Sequence, residues 1–316
     1  MNLREVKNIC RKNSFVPLRR RGQNFLIKSK IIKQIVSVAE LDKKDIVLEI
    51  GSGLGVLTEE IANECKKVVA IEIDKDLVRI SKELLEDYKN VEIIRGSILD
   101  GISNLGIGSK KYKVVASIPF NIASRILRIL LTQKNKPELI IVVVQKEVAQ
   151  RIIAKPPNMS LLSLTIQFYG QVNIVFNINR NNFWPQPRVD STALMIKPNK
   201  SKINKEIENI FFQIISAGFS SKRKYLLNNL SKSVIIQDIK SQKLIRERPR
   251  DKHKKFKKGF TKDPIEIKSQ QQKFLEIFRV IGMNEKVRAQ ELSLEQWIEI
   301  ADSIKNTSRF DGGINN

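Results

Sequence analysis

Three glycines on alternate positions, Gly51, Gly53 and Gly55, constrain this chain more than any other feature. They follow a short apolar run rich in β-branched residues, Ile46-Val47-Leu48-Glu49-Ile50, and precede Leu54, Leu57, Ile61 and Ala62 at helical spacing. The pattern predicts strand, tight turn, helix. Glycine lets backbone come close to a bound molecule, and a helix N-terminus offers unpaired N–H groups. Glu72 lies 21 residues after Gly51, at the end of the next apolar run. An acidic side chain there can accept both hydroxyls of a ribose.

Two cofactor classes use such a turn. A dinucleotide fold expects its third glycine one place later, where this chain has Val56. The G-x-G-x-G spacing with Glu49 ahead of it suits S-adenosylmethionine, which has no pyrophosphate to cradle. Glycines alone match unrelated α/β proteins by chance; Glu72 at the end of the second strand makes a nucleoside site the better reading.

Strands predicted at 68–73, 91–95, 113–117 and 139–144 alternate with helices at 77–85 and 122–131. That regularity predicts a Rossmann-like α/β fold with a mostly parallel sheet and helices on both faces. Two further apolar stretches, 161–176 and 191–196, read as an antiparallel strand pair closing the sheet. Ligands of such sheets sit beyond the carboxyl ends of the strands, where Gly51, Glu72, Ser97 and Ser117 all fall.

Lys197-Pro198-Asn199-Lys200-Ser201-Lys202 breaks both periodicities and marks a boundary. The expected organisation is a basic arm at 1–21, a cofactor-binding domain at 22–199 and a smaller all-helical domain at 200–316. Helical stripes through Ile207, Ile210, Phe211, Ile214 and Ile215, and through Phe274, Ile277, Phe278 and Ile281, support the last. Between them, residues 231–272 hold 13 Lys or Arg against 5 Asp or Glu and read as a basic insertion, either solvated surface or phosphate contact.

A formal charge of +24 points to a polyanionic partner, most simply nucleic acid. Cys10, Cys65 and the single histidine, His253, supply no metal set and no disulfide framework, as expected in a reducing, cytoplasmic setting. They also argue against a histidine base. No apolar stretch is long enough to cross a membrane. Arg4, Lys7, Arg11, Lys12, Arg19, Arg20 and Arg21 face only Glu5 at the N-terminus. A targeting peptide looks similar, but this run leads directly into Gly22-Gln23-Asn24-Phe25-Leu26, which favours an RNA-facing arm. The polar amides of that pentapeptide are caps or turns, or fold over the amino-acid end of the cofactor.

Ser117-Ile118-Pro119-Phe120-Asn121 follows the fourth strand. Standing alone it would be an ordinary turn. Beside a nucleoside site it suits methylation of an exocyclic amino group on a base. Such a nitrogen shares its lone pair with the ring, and hydrogen-bond acceptors on its N–H groups return density to it. Ser117 Oγ and the carbonyl of Ile118 or Pro119 are the candidates. Phe120 would stack on the base, worth roughly 1–3 kcal/mol, with Phe183 covering the other face.

With these blocks in place, the chain resembles the ribosomal RNA adenine N6-dimethyltransferases, most of all those that dimethylate two adjacent adenosines in a hairpin near the 3′ end of small-subunit rRNA. The resemblance runs from Gly22-Gln23-Asn24-Phe25-Leu26 through Glu72-Ile73-Asp74, Gln145-Lys146-Glu147-Val148 and the 183–191 loop to Val287-Arg288-Ala289-Gln290-Glu291-Leu292-Ser293. It implies S-adenosylmethionine held by Gln23, Asn24, Leu26, Gly51, Gly53, Glu72, Ile73, Ser97 and Ser117. It implies chemistry at Ser117, Ile118, Pro119, Phe120 and Phe183. It implies a monomer acting on small-subunit rRNA or its assembling particle, contacted by Arg19, Arg20, Arg21 and by Lys222, Arg223 and Lys224 in a basic helix. Three departures stand out: Ser97 replaces the usual aspartate, Ser117 the usual asparagine and Phe120 the usual tyrosine. A slower or weaker-binding enzyme is the expectation. The alternatives are a large-subunit methyltransferase of the antibiotic-resistance type and a non-catalytic assembly factor with a degenerate site.

Overall fold

The computed structural model describes residues 1–18, 21–102, 105–119, 122–199, 204–233 and 263–310. The chain divides into two compact units: Met1–Ile153 with Tyr169–Asn199, and Ala154–Phe168 with Lys200–Asn316. Residues 154–168 thus group with the helical unit, although the linear reading placed them in the sheet domain.

The first unit begins with α1 (Leu3–Lys12), β1 (Phe25–Leu26) and α2 (Ser29–Ser37). It continues with β2 (Ile46–Ile50), α3 (Val56–Glu64), β3 (Lys67–Glu72), α4 (Lys75–Leu84) and β4 (Val91–Arg95). After β5 (Lys113–Ser117), α5 (Ala123–Thr132), β6 (Leu139–Gln145) and α6 (Lys146–Ile152) the chain passes through α7 (Leu161–Tyr169), nearly all of which groups with the second unit, and the first unit resumes with β7 (Gly170–Ile178), β8 (Phe183–Trp184) and β9 (Ser191–Pro198). Seven strands form one sheet in the order β4-β3-β2-β5-β6-β9-β7. The first five pair in parallel and the last two antiparallel, as the alternation predicted. Ile140, Ile141, Val142, Val143 and Val144 of β6 are all fully buried, so this strand is covered on both faces and its sequence does not alternate. The chain leaves β2 toward β3 on one side and returns to β5 on the other. This reversal opens a crevice at the carboxyl edge, between β2 and β5.

Three expectations need correction. Residues 161–169 form a helix, not the first half of a strand. Their continuous apolar run cannot be assigned by periodicity, and the deciding signal is local. The Ser160 N–H donates to Ser163 Oγ at 2.8 Å and the Ser163 N–H to Ser160 Oγ at 3.1 Å, a reciprocal helix cap. Second, residues 3–12 of the expected basic arm are α1, capped by Asn2 and Glu5 and buried along Val6 and Cys10 in the core around β2 and β3. Third, the basic insertion ends earlier than its composition suggested. Residues 264–272 belong to α10 (Pro264–Val280), started by an Asp263 cap and a proline in its first turn, while residues 234–262 lie outside the described residues.

The second unit packs α8 (Lys205–Gly218), α9 (Leu226–Leu230), α10 and α11 (Leu294–Phe310) around Phe211, Phe274, Phe278 and Trp297, all fully buried. Phe168 stacks on Phe211 with centroids 4.3 Å apart. Lys222, Arg223 and Lys224 stand in the turn between α8 and α9 and not on a helix.

Gly55 shows why the glycine turn tolerates little change. Its φ is +81°, and a Cβ there would lie 2.8 Å from Leu85 Cδ1, beyond the end of α4. Gly55→Ala therefore combines backbone strain with overpacking, at a cost of about 1–3 kcal/mol. Thermal unfolding should show a melting temperature several degrees lower; an unchanged value would mean that α4 yields freely.

Candidate active site at the carboxyl edge of the sheet

The crevice between β2 and β5 is a cavity walled by five chain segments. Residues 21–26 form one wall; Glu49 to Leu54 form the floor; Glu72 and Ile73 stand at the end of β3, Ser97 and Ile98 after β4, and Ser117 and Pro119 after β5. Sequence reasoning placed Gln23, Asn24, Leu26, Gly51, Gly53, Glu72, Ile73, Ser97 and Ser117 at a cofactor. All nine line this cavity.

Glu72 is 7% exposed and bound by backbone on both sides. Its Oε2 accepts the Gly53 N–H at 3.1 Å; its Oε1 accepts those of Ile73 at 2.8 Å and Asp74 at 2.9 Å. A carboxylate has about four acceptor sites. Three are taken, so in this conformation one site on Oε2 remains for a ribose hydroxyl, where the sequence suggested a grip on both. Burial outweighs these bonds and raises the Glu72 carboxyl above its ordinary range.

Below it, Glu49 is 1% exposed, and burial pushes its carboxyl from 4.5 to about 8, with the charge of Glu72 acting in the same direction. Glu49 Oε2 and the buried Ser52 Oγ have no hydrogen-bond partner among the described residues. Buried polar atoms without partners fit a ligand that brings hydrogen-bond donors, and a positive charge on that ligand would favour ionised Glu49, as the Thr58 hydroxyl also does. S-adenosylmethionine brings both, in its ammonium and sulfonium groups. Ile73, 63% exposed, presents an apolar surface at the cavity.

The remaining predicted residues divide. Ser97 is half-buried and its Oγ accepts the Leu99 N–H at 3.2 Å, capping a short 3-10 turn, so part of its acceptor capacity is used locally. Ser117 is half-buried at the last position of β5. The Ile118 side chain is buried, leaving only its main chain for chemistry. Pro119 lines the cavity, and its carbonyl accepts the Ile122 N–H at 3.2 Å. Phe120, Arg19 and Arg20 lie outside the described residues. Phe183 departs from expectation. It is 3% exposed, pairs with Leu26 through the β1–β8 ladder and packs in the core, so in this conformation it covers no base. Arg21 also departs, since its guanidinium is engaged by Asp74 at 2.6 Å.

Sequence reasoning used Glu49 to choose the cofactor class but gave it no place among the site residues, and it left out Ser52 and Asp74. Glu49 had a signal, an acidic residue inside an otherwise apolar strand. Asp74 had a misleading one, since it also caps α4 through the Asp76 N–H.

A mostly parallel sheet whose carboxyl-edge cavity is walled by a glycine turn and by a buried acid at the end of β3 has the fold and site of an S-adenosylmethionine-dependent methyltransferase. Comparisons with known proteins narrow the class. A family model described as "Ribosomal RNA adenine dimethylase" matches residues 18–259. The chain is 33% identical over 313 residues to the ribosomal RNA small subunit methyltransferase A of Pelotomaculum thermopropionicum, covering 95% of both chains. It is 39% identical over 215 residues to the protein of the same name from Dehalococcoides mccartyi, covering 67% of this chain and 74% of that one. Among solved structures, a dimethyladenosine transferase from Plasmodium falciparum matches with a TM-score of 0.71 at 24% identity, covering 89% of this chain and 98% of that one. The 23S rRNA methyltransferase ErmE matches with a TM-score of 0.64 at 20% identity, covering 89% and 99%. The structural likenesses speak for the fold alone. The sequence matches carry the assignment: this chain belongs to the ribosomal RNA adenine dimethylase family.

The state of Glu49 can be tested without a ligand. Between about pH 4.5 and pH 8 the folded chain keeps a proton on Glu49 that the unfolded chain has lost. Stability therefore falls as pH rises through that window. Glu49→Gln removes this titration, so urea unfolding at a series of pH values should show the wild type losing ground to the variant from pH 5 to pH 8. A constant difference would place the Glu49 carboxyl in the ordinary range.

Proposed function

We propose that this chain transfers methyl groups from S-adenosylmethionine to the N6 amino group of adenosines in small-subunit rRNA, dimethylating two adjacent residues during ribosome assembly. The observation that carries the reading is that Glu72, on the cofactor side, and Ser117 with Pro119, on the substrate side, wall one cavity. End-to-end similarity to relatives named as small-subunit methyltransferases supports the choice of subunit. The charge of +24 supports an RNA partner. Among the described residues no helix is long and apolar enough to cross a membrane, and no acidic, histidine or cysteine group could hold a metal. The expected setting is a monomer in the cytoplasm, acting on naked rRNA or an assembling particle.

The bound cofactor supplies a methyl group on a positively charged sulfur, which needs little further activation. The protein's task is to make the amino nitrogen a nucleophile and to align it. Ser117 Oγ and one main-chain carbonyl accept its two N–H bonds and draw its lone pair out of the ring. Because the Pro119 carbonyl already takes the Ile122 N–H, the Ile118 carbonyl is the better second acceptor. The resemblance gives stacking on the base to Phe120, which lies outside the described residues. Alignment and stabilisation of the developing charge supply most of the rate. As the nitrogen gains a methyl group its proton becomes acidic and leaves to water, so no strong base is needed. On the helical unit, Lys222, Arg223 and Lys224 meet RNA phosphates.

Incubating unmethylated small subunits with the protein and cofactor should yield dimethyladenosine by mass spectrometry of nucleosides. No product beside an active control enzyme would sink the proposal. Primer extension then locates the base and separates small-subunit from large-subunit action. Ser117→Ala should lower kcat by about 100-fold while the cofactor Kd changes only a few-fold. An unchanged kcat, or no cofactor binding by the wild type, would instead favour the assembly-factor reading. Replacing Lys222, Arg223 and Lys224 together by alanine should flatten the plot of log affinity for RNA against log salt by about 2; an unchanged slope would remove them from the interface.

A further inference from the structure

The wall formed by residues 21–26 is held at its two ends by different means. At the far end β1 pairs with β8, Phe25 opposite Trp184 and Leu26 opposite Phe183. At the near end no ladder forms among the described residues, and Gly22 turns the chain with a φ of +69°. The attachment there is Asp74. Its Oδ2 accepts from Arg21 Nη1 at 2.6 Å and from Gln23 Nε2 at 3.0 Å. Gln23 Oε1 in turn accepts the Leu18 N–H at 2.6 Å.

Asp74 is 4% exposed overall, far more buried than a helix cap requires. The cap uses the other oxygen, since Oδ1 accepts the Asp76 N–H at 3.0 Å. The same residue's N–H donates to Glu72 Oε1. Two residues apart, one carboxylate faces the cavity and the other grips its wall. Burial would raise the Asp74 carboxyl, but the bonds from the Asp76 N–H, Gln23 and Arg21 outweigh it and hold the group below its ordinary range.

We propose that Asp74 is a positioning residue that fastens the 21–26 wall to the ribose-binding end of β3, with Arg21 as its releasable pin, and so sets how long the cofactor stays bound. The Arg21 side chain is half exposed while that of Asp74 is buried, so the cation can leave for solvent but the anion cannot follow. Releasing the pin frees the near end of the wall while the β1–β8 ladder holds the other. The inference rests on the reading of the cavity as the S-adenosylmethionine site.

Asp74→Asn separates this role from helix capping, because asparagine caps as well as aspartate but places an amide donor where Oδ2 received two donors. Hydrogen exchange of the free protein should then show faster exchange in the peptide covering residues 21–26, with α4 protected as before. Dissociation of S-adenosylmethionine, followed by displacement with excess unlabelled cofactor, should accelerate about 10-fold or more, the worth of a lost charge-assisted bond. KM for the cofactor should rise while kcat at saturation stays within about two-fold, a split that general loosening of the fold would not produce. Arg21→Ala should shift exchange and dissociation in the same direction by less, since Gln23 remains, and Arg21→Lys should restore most of the retention. Unchanged exchange at 21–26, an unchanged dissociation rate, or loosening of α4 together with the wall in Asp74→Asn would each overturn the proposal. Failure of the wild type to bind the cofactor would instead overturn the reading of the cavity, and the exchange measurement does not depend on it.

Discussion

The Glu72 carboxylate ties the site together, because three backbone N–H groups from two separate turns converge on it. Removing a carboxylate from water costs several kcal/mol per ion, and charge-assisted bonds to backbone return part of that. The geometry cannot be met by β3 alone. Gly53, on the turn after β2, must adopt a φ of +58° to bring its N–H to Glu72 Oε2. The glycine turn thus holds an anion as well as making room for a ligand. The acid in turn holds the turn against β3, so the ligand-reading group and the fold's first crossover depend on each other.

Glu49 adds a second acid beneath the same cavity. Burial raises both carboxyls, and the nearby charge of Glu72 adds to the rise at Glu49, so the site disfavours further negative charge.

Much of the sheet was legible because each parallel strand is a short apolar run ending at a residue with a distinct job: Ile50 before Gly51, Glu72, Arg95 before Gly96, and Ser117. What escaped was decided by interactions that composition does not carry. The run 161–169 has no usable period, and a pair of serines at 160 and 163 turns it into a helix. The N-terminal charges concealed the four-residue spacing of Val6 and Cys10, which buries one side of α1 under a basic exterior. Phe183 looked like a loop aromatic beside prolines, but its backbone pairs with Leu26 and draws the ring into the core. Asp74 was hidden by its own second role as a cap. The cofactor residues were readable because they sit where local turns end strands, whereas the wall's fastening joins residues about 50 positions apart.

The substitution of serine at positions 97 and 117 bears differently on the two halves of the site. At 97 the hydroxyl is already a local cap, so on the proposed reading recognition of the adenine leans more on the exposed apolar surface of Ile73 and less on a charged acceptor. At 117, on the proposed reading, the requirement is only for an acceptor oxygen on an N–H bond, which a hydroxyl meets as well as an amide does. A shorter side chain meets it from closer to the strand, and Ser117 is held there by pairing of β5 with Val143 of β6. Rigidity of the sheet edge then substitutes for the reach of the longer side chain. The cost of drift at these two positions should therefore fall on cofactor affinity before it falls on the chemical step.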